Sequence, residues 1–199
     1  IKKAMVERLK AAYHLEQFPE SGVKYQVRFS IFKDMVLLTL DTSGEGLYKR
    51  GYRAVGVEAP LRETLAAALV QLARYRGRDP FCDPFCGSGT IPIEAALIAR
   101  NRAPGLQRAF DAQSWGFIPG DSWQQARDEA QDKEFHGTYD IWGGDVDPQA
   151  VAIARSNAHK AGVASDIRFE TADMRTFRRD SQYGQLVTNP PYGQRLLEK

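Results

Sequence analysis

The sequence predicts an α/β protein with a mostly parallel sheet, preceded by a small α+β segment. Three observations carry this. Strands and helices alternate from about residue 80 onward. A glycine-rich turn sits between a short apolar strand and a helix. A strictly alternating hairpin lies near the start, where no such rhythm exists. The 199 residues are 43% hydrophobic and 26% charged, with a net charge of +2 and a pI of about 8.5. That is globular composition, which excludes fibrous, low-complexity and disordered classes.

The elements follow in order. Val6, Leu9 and Tyr13 recur at helical spacing. Residues 25–31 place Tyr25, Val27, Phe29 and Ile31 on one face, which argues a half-buried strand. Lys33 and Asp34 form the turn, and residues 35–40 return. A glycine-containing connector, 41–53, carries charge and aromatics. Pro60 then opens a helix to about Tyr75, with Leu61, Leu65, Ala68, Leu69 and Leu72 on its apolar side. Phe81, Cys82 and Asp83 end a strand, and residues 90–100 are helix. Residues 140–145 are strand, and 148–161 are helix stopped by Gly162. Residues 167–170 and 185–188 are further strands. Residues 101–139, with Trp115, Phe117 and Trp123, interrupt the rhythm as an insertion holding at least one helix.

No apolar run approaches the ~18–20 residues that span a bilayer, so no membrane partner is expected. Residues 1–5 lead into no apolar secretory core. Two cysteines, Cys82 and Cys86, make no disulfide framework, and the compartment reads as reducing and cytoplasmic. No Cys or His clusters near them, and His14, His136 and His159 are scattered, so no metal site is expected and both cysteines pack. The charge balance neither demands nor forbids a nucleic-acid partner. Lys24, Arg28, Lys49, Arg50, Arg53, Arg175, Arg178 and Arg179 are candidate phosphate contacts, though each is individually expected on a solvated surface.

The chemistry concentrates at strand ends. Residues 83–90 (Asp83, Pro84, Phe85, Cys86, Gly87, Ser88, Gly89, Thr90) join a strand to a helix. Two glycines let backbone approach a ligand closely, and the helix start offers free N–H groups. A phosphate-binding loop would need a Lys between Gly89 and Thr90. A dinucleotide fingerprint would need a third Gly where Pro92 stands. The remaining reading is a nucleoside cradle with an acidic residue before the turn, as S-adenosylmethionine (SAM) enzymes use.

Asp145 ends the next strand, where an acidic side chain accepts from ribose hydroxyls in nucleotide-binding α/β folds. Asp147 either shares that role or caps the helix begun by Pro148. Asp173 and Met174 follow the third strand, and a carboxylate there can accept from an adenine amino group. Asn189, Pro190, Pro191 and Tyr192 follow the fourth. A base's exocyclic amine is a poor nucleophile, because its lone pair is delocalised into the ring. The Asn189 side-chain oxygen and the Pro190 carbonyl can each accept one of its N–H bonds and aim the lone pair at a methyl donor. The two prolines fix φ and add no competing donor. Tyr192 offers a stacking face worth ~1–3 kcal/mol, and a base within a duplex must flip out to reach it.

Taken together, residues 83–90, Asp145, Asp173 and 189–192 resemble the Rossmann-like SAM-dependent methyltransferases that modify exocyclic amines. The chain is most similar to the RlmL/YpsC-like THUMP-domain RNA methyltransferases, the 23S rRNA guanine-N2 group. Residues 40–44 with 49–53, 59–64, 91–96, and the insertion with residues 103–106 and Trp115 extend the likeness over nearly the whole chain. The resemblance implies that residues 83–90 hold the methionine part of SAM, Asp145 its ribose, and Asp173 with Met174 its adenine. It implies that Asn189, Pro190 and Tyr192 hold the target base. It divides the chain into a partial THUMP-like RNA-binding segment (1–46), a linker and first helix (47–79), and a methyltransferase core (80–199). The family's sheet has seven strands and this chain reaches four. With half of the THUMP pattern and an initiator Met also missing, a fragment of a longer protein is expected.

The implied activity is methylation of an exocyclic amine in RNA, guanine-N2 of 23S rRNA, with SAM as cofactor and RNA as partner. Adenine-N6 methylation of DNA uses the same tetrad, and the THUMP-like pattern decides for RNA. A non-catalytic RNA-binding or ribosome-assembly factor is the alternative of another class. A nicotinamide oxidoreductase is disfavoured by the glycine spacing.

Overall fold

The computed structural model describes residues 1–18, 20–53 and 61–192. In order these form α1 (Lys2–Tyr13), β1 (Gln26–Phe32), β2 (Met35–Asp41), α2 (Glu63–Leu72), β3 (Phe81–Asp83), α3 (Thr90–Ala99), α4 (Ser122–Asp132), β4 (Ile141–Asp145), α5 (Pro148–Ala161), β5 (Ile167–Thr171) and β6 (Gln185–Leu186). Short 3₁₀ turns lie at Asp111–Ser114, Ala164–Asp166 and Met174–Thr176.

The main sheet has the order β5-β4-β3-β6, and every pair is parallel. The chain winds outward from β3 through β4 to β5, then returns across to β6 beside β3. Right-handed crossovers in one direction put α3 and α5 on the same face, and the two helices pack against each other there. Phe81, Ile93, Ile141, Val163 and Ala154 are fully buried between them. Each large apolar side chain so buried contributes about 1.5–3 kcal/mol. The β4–β5 register, from Ile141↔Ile167 to Asp145↔Thr171, brings these strands to a common end.

Local chemistry explains the best-defined boundaries. Asp147 caps α5 by accepting the Gln149 N–H at 2.8 Å, and Pro148 takes the first helical position. Val151, Ala154, Asn157, Ala158 and Ala161 form its buried stripe. Lys33 and Asp34 both have positive φ, 47° and 60°, as a two-residue turn matching strand twist requires.

Several expectations are corrected. The first strand is Gln26–Phe32, because Tyr25 leaves the ladder to stack on Trp115, ring centroids 5.2 Å apart. The hairpin is not half-buried. Val27, Phe29 and Ile31 pair with Leu40, Leu38 and Val36 on one face, and all six are 43–60% exposed. Tyr13 and Leu9 of α1 are likewise exposed.

Helix α2 starts at Glu63 and ends at Leu72, and Pro60 lies outside the described residues. Its packed face is Glu63, Ala66, Ala67 and Val70, while Leu65 and Leu72 face solvent. Two causes set this rotation: small alanines let α2 close on α3, and Arg53 draws Glu63 inward with an ion pair at 2.9 Å. Strand β6 is two residues long, although the Val187 N–H still donates to the Cys82 carbonyl at 3.1 Å. The 101–139 insertion contains α4, and Trp115 within it donates to the Lys24 carbonyl, tying it to the hairpin.

Candidate functional site

Parallel strands end on one side, so the acidic and tetrad residues share a single rim at the carboxyl ends of β3 to β6. Asp83, 1% exposed, lies at its centre. Its Oδ1 accepts from the Phe85 N–H at 3.1 Å and from the Thr188 hydroxyl at 2.7 Å. Burial pushes the Asp83 carboxyl up to about 7. The Thr188 and Phe85 hydrogen bonds oppose this, and the neighbouring Asp145 charge adds to it.

The loop after β3 is closed by its own backbone and by β4. The Cys86 N–H donates to the Gly144 carbonyl at 2.8 Å, and the Gly87 N–H to Asp145 Oδ2 at 2.9 Å. Asp145 Oδ1 accepts the Asp147 N–H at 3.0 Å, so this half-buried carboxylate joins the glycine loop to the start of α5. Cys82 and Cys86 are free and buried, and burial raises both thiols. Among the described residues no group of three metal-ligating side chains occurs.

The two glycines differ in what surrounds them. A Cβ on Gly87 would meet nothing within 4 Å, which leaves open space above the loop. Gly89 has φ +81°, and a Cβ there would lie 2.9 Å from Ala154 Cβ and 3.0 Å from the Phe169 ring. Gly89→Ala therefore adds left-handed strain to a collision with α5, and we expect about 2–4 kcal/mol of destabilisation. Urea denaturation checks this, and an unchanged midpoint refutes it.

The remaining positions differ in their commitments. Asp147 is exposed and spends Oδ1 on the α5 cap, so Asp145 is the carboxylate at the loop itself. Asp173 accepts the Arg175 N–H at 2.9 Å and pairs with the Arg175 guanidinium at 2.5 Å, with Met174 exposed beside it. The Ala172 N–H bonds the Asp145 carbonyl at 2.9 Å and fixes this loop to the rim. Asn189, Pro190, Pro191 and Tyr192 follow Thr188 directly and are exposed, Tyr192 at 69%.

Four supporting residues stand outside the site read from the sequence, although Arg53 and Glu94 lie within stretches 49–53 and 91–96 that carry the family likeness. Thr188 ties the tetrad's strand to Asp83. Asn157 Nδ2 donates to the Ser88 carbonyl at 3.0 Å; its one visible signal is an amide among the alanines of the α5 stripe. Arg53 donates to Thr90 Oγ1 at 3.0 Å and to the Leu61 carbonyl at 2.8 Å. Glu94 accepts from the Tyr52 hydroxyl at 3.0 Å beside Arg50. Arg50 and Arg53 are thus part of the internal scaffold. Arg28, Arg175 and Arg179 pair with Asp41, Asp173 and Asp140.

A central strand feeding a lysine-free glycine loop, an acid at the next strand end, and this strand order belong to the Rossmann-like nucleotide-binding α/β proteins, a class that includes the SAM-dependent methyltransferases. Comparison with known proteins agrees. The family model described as "RMKL-like, methyltransferase domain" matches residues 50–199, and the chain belongs to that family. It is 46% identical over its whole length to a Bacillus subtilis (strain 168) protein named RNA methyltransferase YpsC, covering 52% of it. It is 40% identical over 86% of its length to ribosomal RNA large subunit methyltransferase K/L of Vibrio parahaemolyticus, covering 25% of that protein. A Listeria monocytogenes crystal structure, described as a predicted N6-adenine-specific DNA methylase, superposes with TM-score 0.92 at 46% identity, over all of this chain and 53% of that one. The methyltransferase SMU.472, complexed with S-adenosylhomocysteine (SAH), superposes with TM-score 0.89 at 38% identity, over 99% of this chain and 52% of that one. The chain spans about half the length of YpsC and a quarter of methyltransferase K/L. No described helix is long and apolar enough to cross a membrane.

Proposed function

We infer that the protein is a SAM-dependent RNA methyltransferase acting on an exocyclic base amine, guanine-N2 of 23S rRNA. The observation that carries this is the 2.7 Å bond from Thr188 to Asp83. It ties Thr188, the residue before Asn189, to the acid that begins the glycine loop, which supports transfer from a donor held at the loop to a base held by Asn189, Pro190, Pro191 and Tyr192. A fully adjacent donor and acceptor make the step effectively unimolecular.

The rim fits the cofactor. SAM is cationic at its ammonium and sulfonium, and the rim is lined by Asp83, Asp145 and Asp173. The space over Gly87 is clear where a bulkier residue would fill it. We assign the methionine part to residues 83–90, with Phe85, Cys86, Gly87, Ser88, Gly89 and Thr90 supplying backbone and wall. Asp145 takes the ribose, with Asp147 holding α5 behind it, and Asp173 with Met174 takes the adenine.

SAM, when bound, supplies an electrophilic methyl group. The chain's own residues prepare the nucleophile. Asn189 Oδ1 and the Pro190 carbonyl accept the two amine N–H bonds, drawing the nitrogen toward tetrahedral geometry. Pro191 stiffens the turn, and Tyr192 stacks on the ring. The methylated nitrogen is acidic and sheds its extra proton to water, so no general base is assigned.

Likeness to YpsC and to methyltransferase K/L supports RNA, and the latter supports the large ribosomal subunit. Residues 1–46 are assigned to a THUMP-like RNA-binding segment, 47–79 to the linker and first helix, and 80–199 to the core. The likeness to a protein described as an adenine-specific DNA methylase favours DNA as the second reading. The test is transfer of labelled methyl from SAM by the full-length protein. Incorporation at guanine-N2 of unmodified 23S rRNA is the expected result. Label found in duplex DNA adenine and absent from RNA overturns the assignment.

A further inference from the structure

Beside the rim lies a second cavity of about 960 Å³, between the connector around residues 45–53 and the insertion around residues 107–111. The site described above does not use it. Tyr48, Lys49, Arg53, Arg62, Arg108 and Phe110 line it. One of its lining residues, Arg53, also donates to Thr90 Oγ1 at 3.0 Å, which links the cavity wall to the start of α3.

Its charge and its rings are arranged together. The Arg62 guanidinium lies 5.0 Å from the centre of the Tyr48 ring, and Arg108 lies 4.8 Å from that of Phe110. Arg108 is 8% exposed and spends its N–H groups on the carbonyls of Ser43, Glu45 and Gly46. Those acceptors are neutral, so a full positive charge stands in the cavity floor. Of the lining carboxylates, Glu63 is engaged by Arg53 and Asp111 by Lys24, and the five lining cations outnumber the three carboxylates. The Lys49–Glu45 pair is solvent-exposed, and such pairs hold too weakly to keep Lys49 from a phosphate. A basic trough with half-buried aromatic faces is what a single strand needs: cations for the backbone and rings for the bases.

We propose that this cavity receives the single-stranded RNA flanking the target base, with a base stacked on Tyr48 and phosphates held by Lys49 and Arg62, while Arg108, its N–H groups taken by carbonyls and its plane against Phe110, adds positive charge from the floor. The proposal rests on the RNA reading above. It would let one nucleotide be presented to the tetrad while its neighbours stay bound to the protein.

The experiment measures binding of a fluorescent single-stranded RNA oligonucleotide, and of the duplex DNA of the same sequence, by the full-length protein across a salt series. SAM binding is measured alongside by calorimetry. Tyr48→Ala should weaken RNA about tenfold, and Tyr48→Phe should restore it, since the ring and not the hydroxyl stacks. Arg62→Gln should weaken RNA and lower the log–log salt slope by about 1. SAM affinity should be unchanged in all three, which certifies the fold. Wild-type RNA binding matched by Tyr48→Ala and Arg62→Gln overturns the cavity assignment alone. Wild-type binding to duplex DNA without RNA binding overturns the RNA reading as well.

Discussion

Asn189→Ala should leave SAM affinity unchanged and lower turnover by about a hundredfold or more. In the proposed arrangement the substitution removes one of two acceptors aimed at the amine. Deleting a single preorganised hydrogen-bonding group from an active site costs about 10²–10³ in rate. Asn189 is exposed at the end of β6, outside the packed core, so the fold should survive its truncation. The loss should fall on kcat, because the contact tightens only as the nitrogen becomes tetrahedral. Single-turnover transfer from labelled SAM reads the chemical step, and calorimetry reads the cofactor. Turnover equal to wild type would show that Asn189 does not aim the amine.

The second large effect concerns Asp83. Its carboxyl titrates near 7 in the folded chain against an ordinary value of 3.8. The native state therefore holds a proton that the unfolded chain releases. The contribution to stability is complete below the ordinary value and is lost as pH rises through about 7. The unliganded protein should lose stability across that interval and level off above it. A cationic ammonium beside Asp83 favours the charged form instead. SAM binding below pH 7 should therefore release a proton and strengthen as pH rises toward it.

Asp83→Asn keeps the acceptor for Phe85 and Thr188 but removes the charge. It should abolish both pH slopes and weaken SAM by about 10–100-fold, the worth of a hydrogen bond to a charged group. Calorimetry in two buffers of different ionisation enthalpy counts the released proton. A proton count of zero in the wild type, or a pH slope surviving in Asp83→Asn, would show that the ligand does not meet this carboxylate.

What the sequence made legible has a physical pattern. Helix α5 was readable to the residue, because its cap, its proline and its terminating glycine are local signals that no tertiary contact overrides. The loop after β3 is legible from its two glycines, but the close approach that requires glycine at position 89 is to Ala154 and Phe169 and not to a ligand, a contact that no local pattern encodes. Helix α2 was misjudged because its leucines suggest an inward face, whereas the burial of Glu63 is decided by Arg53, a residue ten positions earlier. The roles of Thr188 and Asn157 were invisible for a similar reason. Each acts through one hydrogen bond to a residue far away in sequence, Asp83 or Ser88, and no spacing rule encodes that. Among the arginines that charge marks as candidate phosphate contacts and that are each expected on a solvated surface, Arg50 and Arg53 are instead internal braces.

The β1–β2 ribbon has its own consequence. A lone pair of strands is marginal in water, and this one is anchored at its base by the Arg28–Asp41 pair and by Tyr25 against Trp115. Its far end shows greasy side chains to solvent while the body around β3 and β4 is dry. Amide exchange should therefore sweep the ribbon long before it touches the sheet, and clumping in concentrated solution should begin there. Handling properties and chemistry are thus governed by different sheets of the molecule.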